Sequence, residues 1–472
     1  MTARGLRLAA PGAAALALAA CWPLSAYAVG PAALPALLAA AGVLALLVVR
    51  LEAGLAIVLL LAPFTNAAAE AGRPVRFVES GLALAVLAAA FVVQRRQRSI
   101  AGAGGLSLGV LAFLLAGGIS SLAAEDPAKS LTRFLGLVTA AALFFAVLLL
   151  CRRRSQLMMV VAAALGSLLL AGAHGVVQKA IGDTSFAGVV IDGEVVGRVA
   201  GSFSHPNQFA GFLICLMPLA GATLASRAAA RPLRGLAAAA LALSLASLAF
   251  SLTRGAILGL VAGSLLWVAV VRPRIAVPLA VVIAVLGVAL VPSSLQERLS
   301  DPAGGDLGLR SDLWQSALDI YATSPVIGVG LANFGDAYGR LPAQLSTGTQ
   351  RRLLHQDQLL VPPHANNLFL TILAEEGLVG AVAFLGLIGA ALWTCRRVAR
   401  LDDPFARLVG IGLGAGLCAM LVHSVLEYTL IGEPSLPIFA LLGVAAALAA
   451  DARASAPGLG DGRAWVRAAD GA

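Results

Sequence analysis

The stretch PPHANNLFLTILAEEGLVG, Pro362–Gly380, leads without interruption into an apolar run that ends only at Thr394. The run Gly377–Thr394 has nearly the length that a helix needs to cross about 30 Å of hydrocarbon. The residues before it include a histidine, two asparagines and two glutamates. They read as an earlier segment of the same helix, lying at or above the membrane interface. Asn367, Thr371 and Glu375 stand at i, i+4 and i+8, and His364 precedes Asn367 by three, so the spacing predicts one polar stripe. Leu368, Phe369, Ile372 and Leu373 cover the other side. The stripe is expected to meet water or an aqueous cavity.

The same pattern of long apolar runs fills the rest of the chain. Of its 472 residues 60% are hydrophobic and 12% charged, against roughly 25% charged in a soluble domain. Mean hydropathy is +0.91. Candidate spans fall at about 6–28, 31–49, 53–69, 77–94, 104–123, 131–150, 156–178, 207–226, 235–252, 255–271, 274–292, 367–394, 405–430 and 434–450. This predicts an all-α polytopic membrane protein of about 12–14 transmembrane helices. Strand-like alternation is absent from the spans, which disfavours a transmembrane barrel.

The net charge of +9 comes mainly from arginine and marks topology before it marks any nucleic-acid partner. Arg4/Arg7, Arg50, Arg95/Arg96/Arg98, Arg152–Arg154, Arg227/Arg231/Arg234, Arg272/Arg274, Arg396/Arg397/Arg400/Arg407 and Arg453/Arg463/Arg467 stand at every second boundary. Positive residues in short loops mark the cytoplasmic side, which places both termini there. Arg4, Arg7 and the AYA of Ala26–Ala28 also resemble a cleavable signal peptide. The five cysteines lie in or beside apolar runs without CxxC spacing and read as small buried hydrophobes.

Two segments on the opposite side are too long for simple turns: about 181–208 and about 292–366. In the second, LRSDLWQSALDIYATSPVIG (Leu309–Gly328) places Leu313, Ala317, Leu318 and Tyr321 at helical spacing with Trp314 adjacent. It predicts an amphipathic helix in a partly helical loop resting on the outer membrane face. The chain accordingly divides into N-terminal transmembrane helices (1–180), a core (181–395) containing the loop, C-terminal transmembrane helices (396–450) and a cytoplasmic tail (451–472).

Arginines on the outer side run against the positive-inside rule. Arg254, in SLTRGAILGL, stands between two spans, where it either snorkels to lipid headgroups or binds an anion bidentately. In GRVAGSFSHPNQFAGFL, Arg198 precedes His205, Pro206 and Asn207 at a helix entry. His205 and Asn207 either cap that helix or line a site at its N-terminus. His364 has the ordinary pKa, about 6.5, of a general base at neutral pH. No HExxH, Walker or dinucleotide motif is present, so metal, cofactor and ATP-driven chemistry are not expected.

In order, GRVAGSFSHPNQFA, SLTRGA, the loop helix with SPVIGVGLANF, and HANNLFLTILAEEGLVG resemble the O-antigen ligase/polymerase superfamily over about residues 195–395. The resemblance implies a metal-independent glycosyltransferase on the periplasmic face of the bacterial inner membrane. It would move a glycan en bloc from undecaprenyl diphosphate to a sugar hydroxyl of lipid A–core. The alternatives within the superfamily are O-antigen polymerase and protein O-oligosaccharyltransferase. It also implies that Arg254, Arg310 and Arg198 bind the diphosphate and that His364 is the catalytic base. His205, Asn207, Asn366, Asn367 and Glu375 are candidates to line the site. The partners are the lipid-linked donor, the lipid A–core acceptor and membrane lipids, with no nucleic acid. The chain departs from the family pattern at one point. Counting back from Gly377 and Gly380, Asn366 takes the place of the family's histidine and His364 stands two residues earlier.

Reporter fusions test the arginine alternation. Fusions at Arg153, Arg231 and Arg397 are expected to read cytoplasmic, and fusions near Asp192 and Gln344 periplasmic. A cytoplasmic signal from either loop would split the candidate site across the membrane.

Overall fold

The computed structural model describes residues 51–64, 104–183, 186–191, 194–272, 274, 306–341, 363–429 and 435–454. In chain order the helices are α1 Leu51–Leu61 with a 3₁₀ turn Ala62–Phe64, α2 Gly105–Leu122, α3 Pro127–Leu150, α4 Arg154–Ala180, α5 Pro206–Ala225, α6 Arg231–Phe250, α7 Arg254–Val271, α8 Asp306–Thr323, α9 Phe334–Gly339, α10 Leu368–Ala399, α11 Pro404–His423 and α12 Ser435–Ala454. Among the described residues nine helices, α2–α7 and α10–α12, are long and apolar enough to cross a membrane. They coincide with nine of the expected spans. The expected span 53–69 is represented by the shorter α1, and the spans 6–28, 31–49, 77–94 and 274–292 lie outside the described residues. The protein is all-α and polytopic. Its described residues add one antiparallel hairpin, β1 Phe186–Ile191 and β2 Glu194–Arg198, in a segment expected only to be a long loop.

Helix starts follow local chemistry. Asp126 Oδ1 accepts from the amides of Ala128 and Lys129 at 3.1 and 3.2 Å, with Pro127 next in the chain. Asp403 caps α11 through Phe405 and Ala406 with Pro404 following. In both, a carboxylate satisfies amides that have no intrahelical partner, and proline takes the position where no amide is needed. α11 stops at His423, seven residues short of the expected span 405–430. Residues Ser424–Thr429, four of them polar, form a turn instead, and the Ser424 carbonyl accepts the Leu368 amide at 2.9 Å. That bond fixes the turn beside the start of α10.

The helices pack through small residues, as membrane helices do when they lack an apolar driving force against lipid. Gly259 and Gly263 of α7 lie directly against the backbone at Ala419 of α11, and Gly416 lies against the Cys215 carbonyl of α5. Ser247 of α6 donates to the Gly172 carbonyl of α4 at 2.7 Å. Leu108, Leu115, Leu258, Leu266, Val382 and Leu385 remain exposed, the outward faces of such a bundle. Helix ends expected on one side meet each other: Arg154 pairs with Asp403 at 2.9 Å, and Gly104 adjoins Arg453. At the other end Lys129 pairs with Asp336 at 2.8 Å, and the Asp126 amide donates to Asn333 at 2.7 Å.

α8 buries Leu313, Ala317 and Ile320. Ala317 and Ile320 pack with Phe334, Ala337, Ala365 and Ala374. Leu318, expected on the apolar face, is exposed. The stripe thus rotates toward α9 and the start of α10.

α10 is two helices in line. Gly377 has φ 64° and ψ −163°, outside the helical region. The segment 325–330 fills the break: Leu378 and Val379 donate to the carbonyls of Pro325 and Val326 (2.9 and 3.1 Å), and Val329 and Gly330 donate to those of Ala374 and Glu375 (3.1 and 2.9 Å). Ser120 adds a bond to the Glu375 carbonyl at 2.6 Å. The division at Gly377 agrees with the two-segment reading of the sequence. A Cβ at Gly377 would strike the Val326 carbonyl, and its backbone lies in a region essentially reserved for glycine, which costs any other residue about 1–3 kcal/mol by itself. Gly377→Ala is therefore expected to lower the thermal midpoint of the purified protein. Gly386→Ala, in open space on the same helix, should leave it unchanged or slightly raised.

Candidate functional site

The two outer-side motifs with arginine meet through Arg198. At the end of β2, the Val199 amide bonds to the Phe250 carbonyl at 3.2 Å, which brings Arg198 to the α6–α7 connection. Its Nε donates to the Ser251 carbonyl at 2.9 Å, and Nη2 donates to Asn207 Oδ1 at 2.7 Å and to Thr253 Oγ1 at 3.0 Å. The guanidinium thus ties the α6–α7 turn to the first turn of α5. His205 caps α5, with Nδ1 accepting the Asn207 amide at 3.1 Å, so the capping reading of His205 holds.

Asn207 passes the connection on. Its Nδ2 donates to Glu427 Oε2, and Glu427 Oε1 accepts the Tyr428 amide at 3.3 Å. Glu427 is buried. Burial pushes its pKa up, opposed in part by the Asn207 and Tyr428 hydrogen bonds and by the Arg310 and Arg198 charges. Arg310 of α8 reaches the same turn, donating from Nη1 to the Leu426 carbonyl at 2.8 Å. His423 Nε2 lies 3.4 Å from the Asn207 carbonyl.

His364 lies beside this network, in the turn before α10. Its ring stacks on Tyr428 with centroids 5.0 Å apart and planes inclined by 23°. The Arg133 guanidinium of α3 lies 5.4 Å from the centroid of the same tyrosine. Burial, followed by the Arg133 and His205 charges, lowers the His364 pKa to about 4, so its ring is neutral at neutral pH. Nδ1 accepts the Asn366 amide at 3.2 Å, which assigns the ring proton to Nε2.

The polar stripe of α10 turns inward rather than to water. Asn367, Thr371 and Glu375 are all buried. Asn367 is the N-cap and accepts from the Leu370 amide at 3.0 Å. Thr371 accepts from the Ala365 amide at 3.1 Å and donates to the Asn367 carbonyl at 2.8 Å. Glu375 Oε1 accepts the Phe334 amide at the start of α9, 3.2 Å away. These groups satisfy backbone donors of the loop, which explains why the face is polar and yet dry. His364 precedes the N-cap and does not share the helical face. Asn366 holds a left-handed backbone at φ 49°. Glu376 is also buried, with neither carboxyl oxygen partnered among the described residues.

The structure brings together Arg198, His205, Asn207, Arg310 and His364, with Arg133, Glu427 and Tyr428, which sequence reasoning missed. Arg254 is exposed at the first turn of α7 and makes no hydrogen bond or ion pair among the described residues. Residues 239–385 match the family model described as O-antigen ligase. This stretch belongs to the O-antigen ligase/polymerase superfamily. No curated protein matches the chain. The matched O-antigen ligase stretch contains Arg254, Arg310, His364, Asn366, Asn367 and Glu375. Arg133, Arg198, His205, Asn207, Glu427 and Tyr428 lie on either side of it.

Two asparagines give a graded test of the network. Asn367→Ala removes one helix cap and should cost about 1 kcal/mol. Asn207→Ala removes the donor to a buried carboxylate and should cost more, about 1–3 kcal/mol. Thermal unfolding in one detergent orders the two, and a smaller loss for Asn207→Ala would mean that Glu427 finds another donor.

Proposed function

We propose that the chain transfers a glycan en bloc from undecaprenyl diphosphate to a sugar hydroxyl of lipid A–core, as an O-antigen ligase of the periplasmic face of the inner membrane. The observation that carries the reading is that Arg310 directly, and Arg198 through Asn207, reach the turn 424–429 beside His364, in an apolar bundle of which residues 239–385 match the O-antigen ligase family. Guanidinium groups stabilise the charge that develops on a departing diphosphate. Arg254, exposed at the same helix turn, reaches outward for the same ligand. Helices with apolar outer faces accommodate a polyprenyl chain.

In this reading the acceptor oxygen attacks the anomeric carbon, the bond from that carbon to the phosphate oxygen breaks, and the polyprenyl diphosphate leaves. The hydroxyl proton goes to His364. Taking it at Nε2 requires the ring proton to shift to Nδ1, and thus the Asn366 amide to release that nitrogen. The neutral ring supports the role, because an imidazolium cannot accept a proton. His205, Asn207, Asn366, Asn367 and Glu375 hold the elements that carry these groups. His205 additionally borders the site.

The lipopolysaccharide gel profile of a deletion strain tests the reaction. Loss of the O-antigen ladder with an intact core and accumulated lipid-linked glycan is the expected outcome. A band of core with a single repeat indicates polymerase, and unglycosylated acceptor protein indicates oligosaccharyl transfer to protein. In a purified transfer assay, Arg310→Ala and Arg254→Ala should each abolish turnover at normal protein level. Lysine should rescue poorly, since its ammonium cannot grip phosphate bidentately. His364→Ala should lower turnover roughly 10²- to 10⁴-fold. At saturating donor, turnover should stay level from about pH 8 down to about pH 5 and fall only toward the folded His364 pKa of about 4. A fall that persists in His364→Ala would assign the proton to another group.

A further inference from the structure

We infer that Glu427 couples donor binding to proton uptake: its carboxylate balances the arginine site while the site is empty and takes up a proton when the donor's diphosphate arrives. The inference rests on the reading that Arg198 and Arg310 hold that diphosphate. Glu427 lies outside the matched family stretch and outside the membrane-crossing helices.

The geometry is that of a buried anion held one residue away from two cations. Glu427 meets Arg198 through a single amide, since Asn207 accepts from the guanidinium with Oδ1 and donates to the carboxylate with Nδ2. Arg310 bonds the carbonyl of the preceding residue. Among the described residues neither arginine forms a direct ion pair with Glu427. The carboxylate is 5% exposed, so water does little to sustain its charge, and the two guanidinium groups do so instead. The other groups facing it are the Tyr428 amide, Thr253 on the Arg198 side and His423, which touches the Asn207 carbonyl.

A diphosphate drawing on Arg198 and Arg310 changes this balance. It brings two negative charges to the cations that sustain one buried carboxylate, and the cheapest response is for that carboxylate to take a proton. The pKa of Glu427 already lies above its ordinary value through burial, and a nearby like charge raises it further. The sign follows from linkage. The bound state holds more protons than the free state, so donor binds more tightly as pH falls.

The experiment uses the full-length protein in lipid nanodiscs and a sugar–diphosphate–polyprenol. Both phosphates of this probe are esterified, so its own charge is constant across the range. Affinity is measured at several values between about pH 6 and about pH 8, and calorimetry in buffers of different ionisation enthalpy counts protons taken up. In the wild type the dissociation constant should rise with pH by up to about tenfold per unit, with net proton uptake on binding. Glu427→Gln, which mimics the protonated acid, should bind at about pH 8 nearly as tightly as the wild type at about pH 6, with no slope. A flat wild-type profile or zero proton uptake overturns the inference, and neither needs a variant. A slope that survives in Glu427→Gln overturns it too, assigning the proton to His205 or His364. Undiminished binding in Arg198→Ala and Arg310→Ala at about pH 6 sinks the underlying reading of the arginines instead.

Discussion

A backbone amide or carbonyl inside a membrane has no water to turn to, and each one left unpaired costs several kcal/mol. The break at Gly377 is therefore possible only because another piece of backbone enters it. Pro325–Gly330 supplies two carbonyls to the amides after the break and takes two amides to the carbonyls before it. Everything above the break depends on that exchange. The helical segment 368–376, its Asn367 cap and the turn with His364 stand where the loop holds them. α8 and α9 are in turn anchored to the bundle by the same strand of chain. The large loop and the helix start form one construction.

This accounts for the polar residues that open α10. They serve the joint: Thr371 ties down Ala365, and Glu375 receives the first amide of α9. The proposed reading leaves chemistry to groups that reach the turn 424–429 from other elements. That turn gathers α3, α5, α8 and α10 through Arg133, Asn207, Arg310 and His364 in a few residues. It interrupts what would otherwise be a continuous apolar helix, and the interruption is what gives a carbonyl to Arg310 and, through Asn207, sets a carboxylate near Arg198.

Much of the fold was legible because hydropathy and capping are local. Nine expected spans coincide with helices, and Asp126, Asn367 and Asp403 cap them as residues of their type do. The sites of failure are those where long-range partners decide. The stripe Asn367–Thr371–Glu375 has the spacing of a wet face, and only the position of α9 and of residue 365 makes it a dry one. Glu427 and Tyr428 were absorbed into a span because four polar residues among apolar ones barely change a hydropathy window. The run HSVLEYT (His423–Thr429) carried a signal of helix termination that went unused. Arg133 lay one turn inside a span and reads as an ordinary helix end until Tyr428 is seen beside it. Asp192–Gly193, between two runs rich in valine, is a hairpin signal of the usual kind, masked by the length of the segment, which reads as a loop.

The distribution of the site along the chain bears on what can vary among related proteins. The matched stretch brings Arg310, Arg254, His364 and the joint at Gly377, the groups to which the proposed reading gives the diphosphate and the proton. Arg133, Arg198, Asn207 and Glu427 come from outside it and set the charge around those groups. Arg198 is held by Ser251, Thr253 and Asn207, and the Asn207 amide stands between it and Glu427. A direct ion pair would neutralise the site and compete with the ligand. An intervening amide keeps the guanidinium fixed and its field available, at the expense of leaving a carboxylate buried one residue away. An arginine site that must both seize and release a dianion gains from that arrangement, since grip and release then depend on a group that can change its charge.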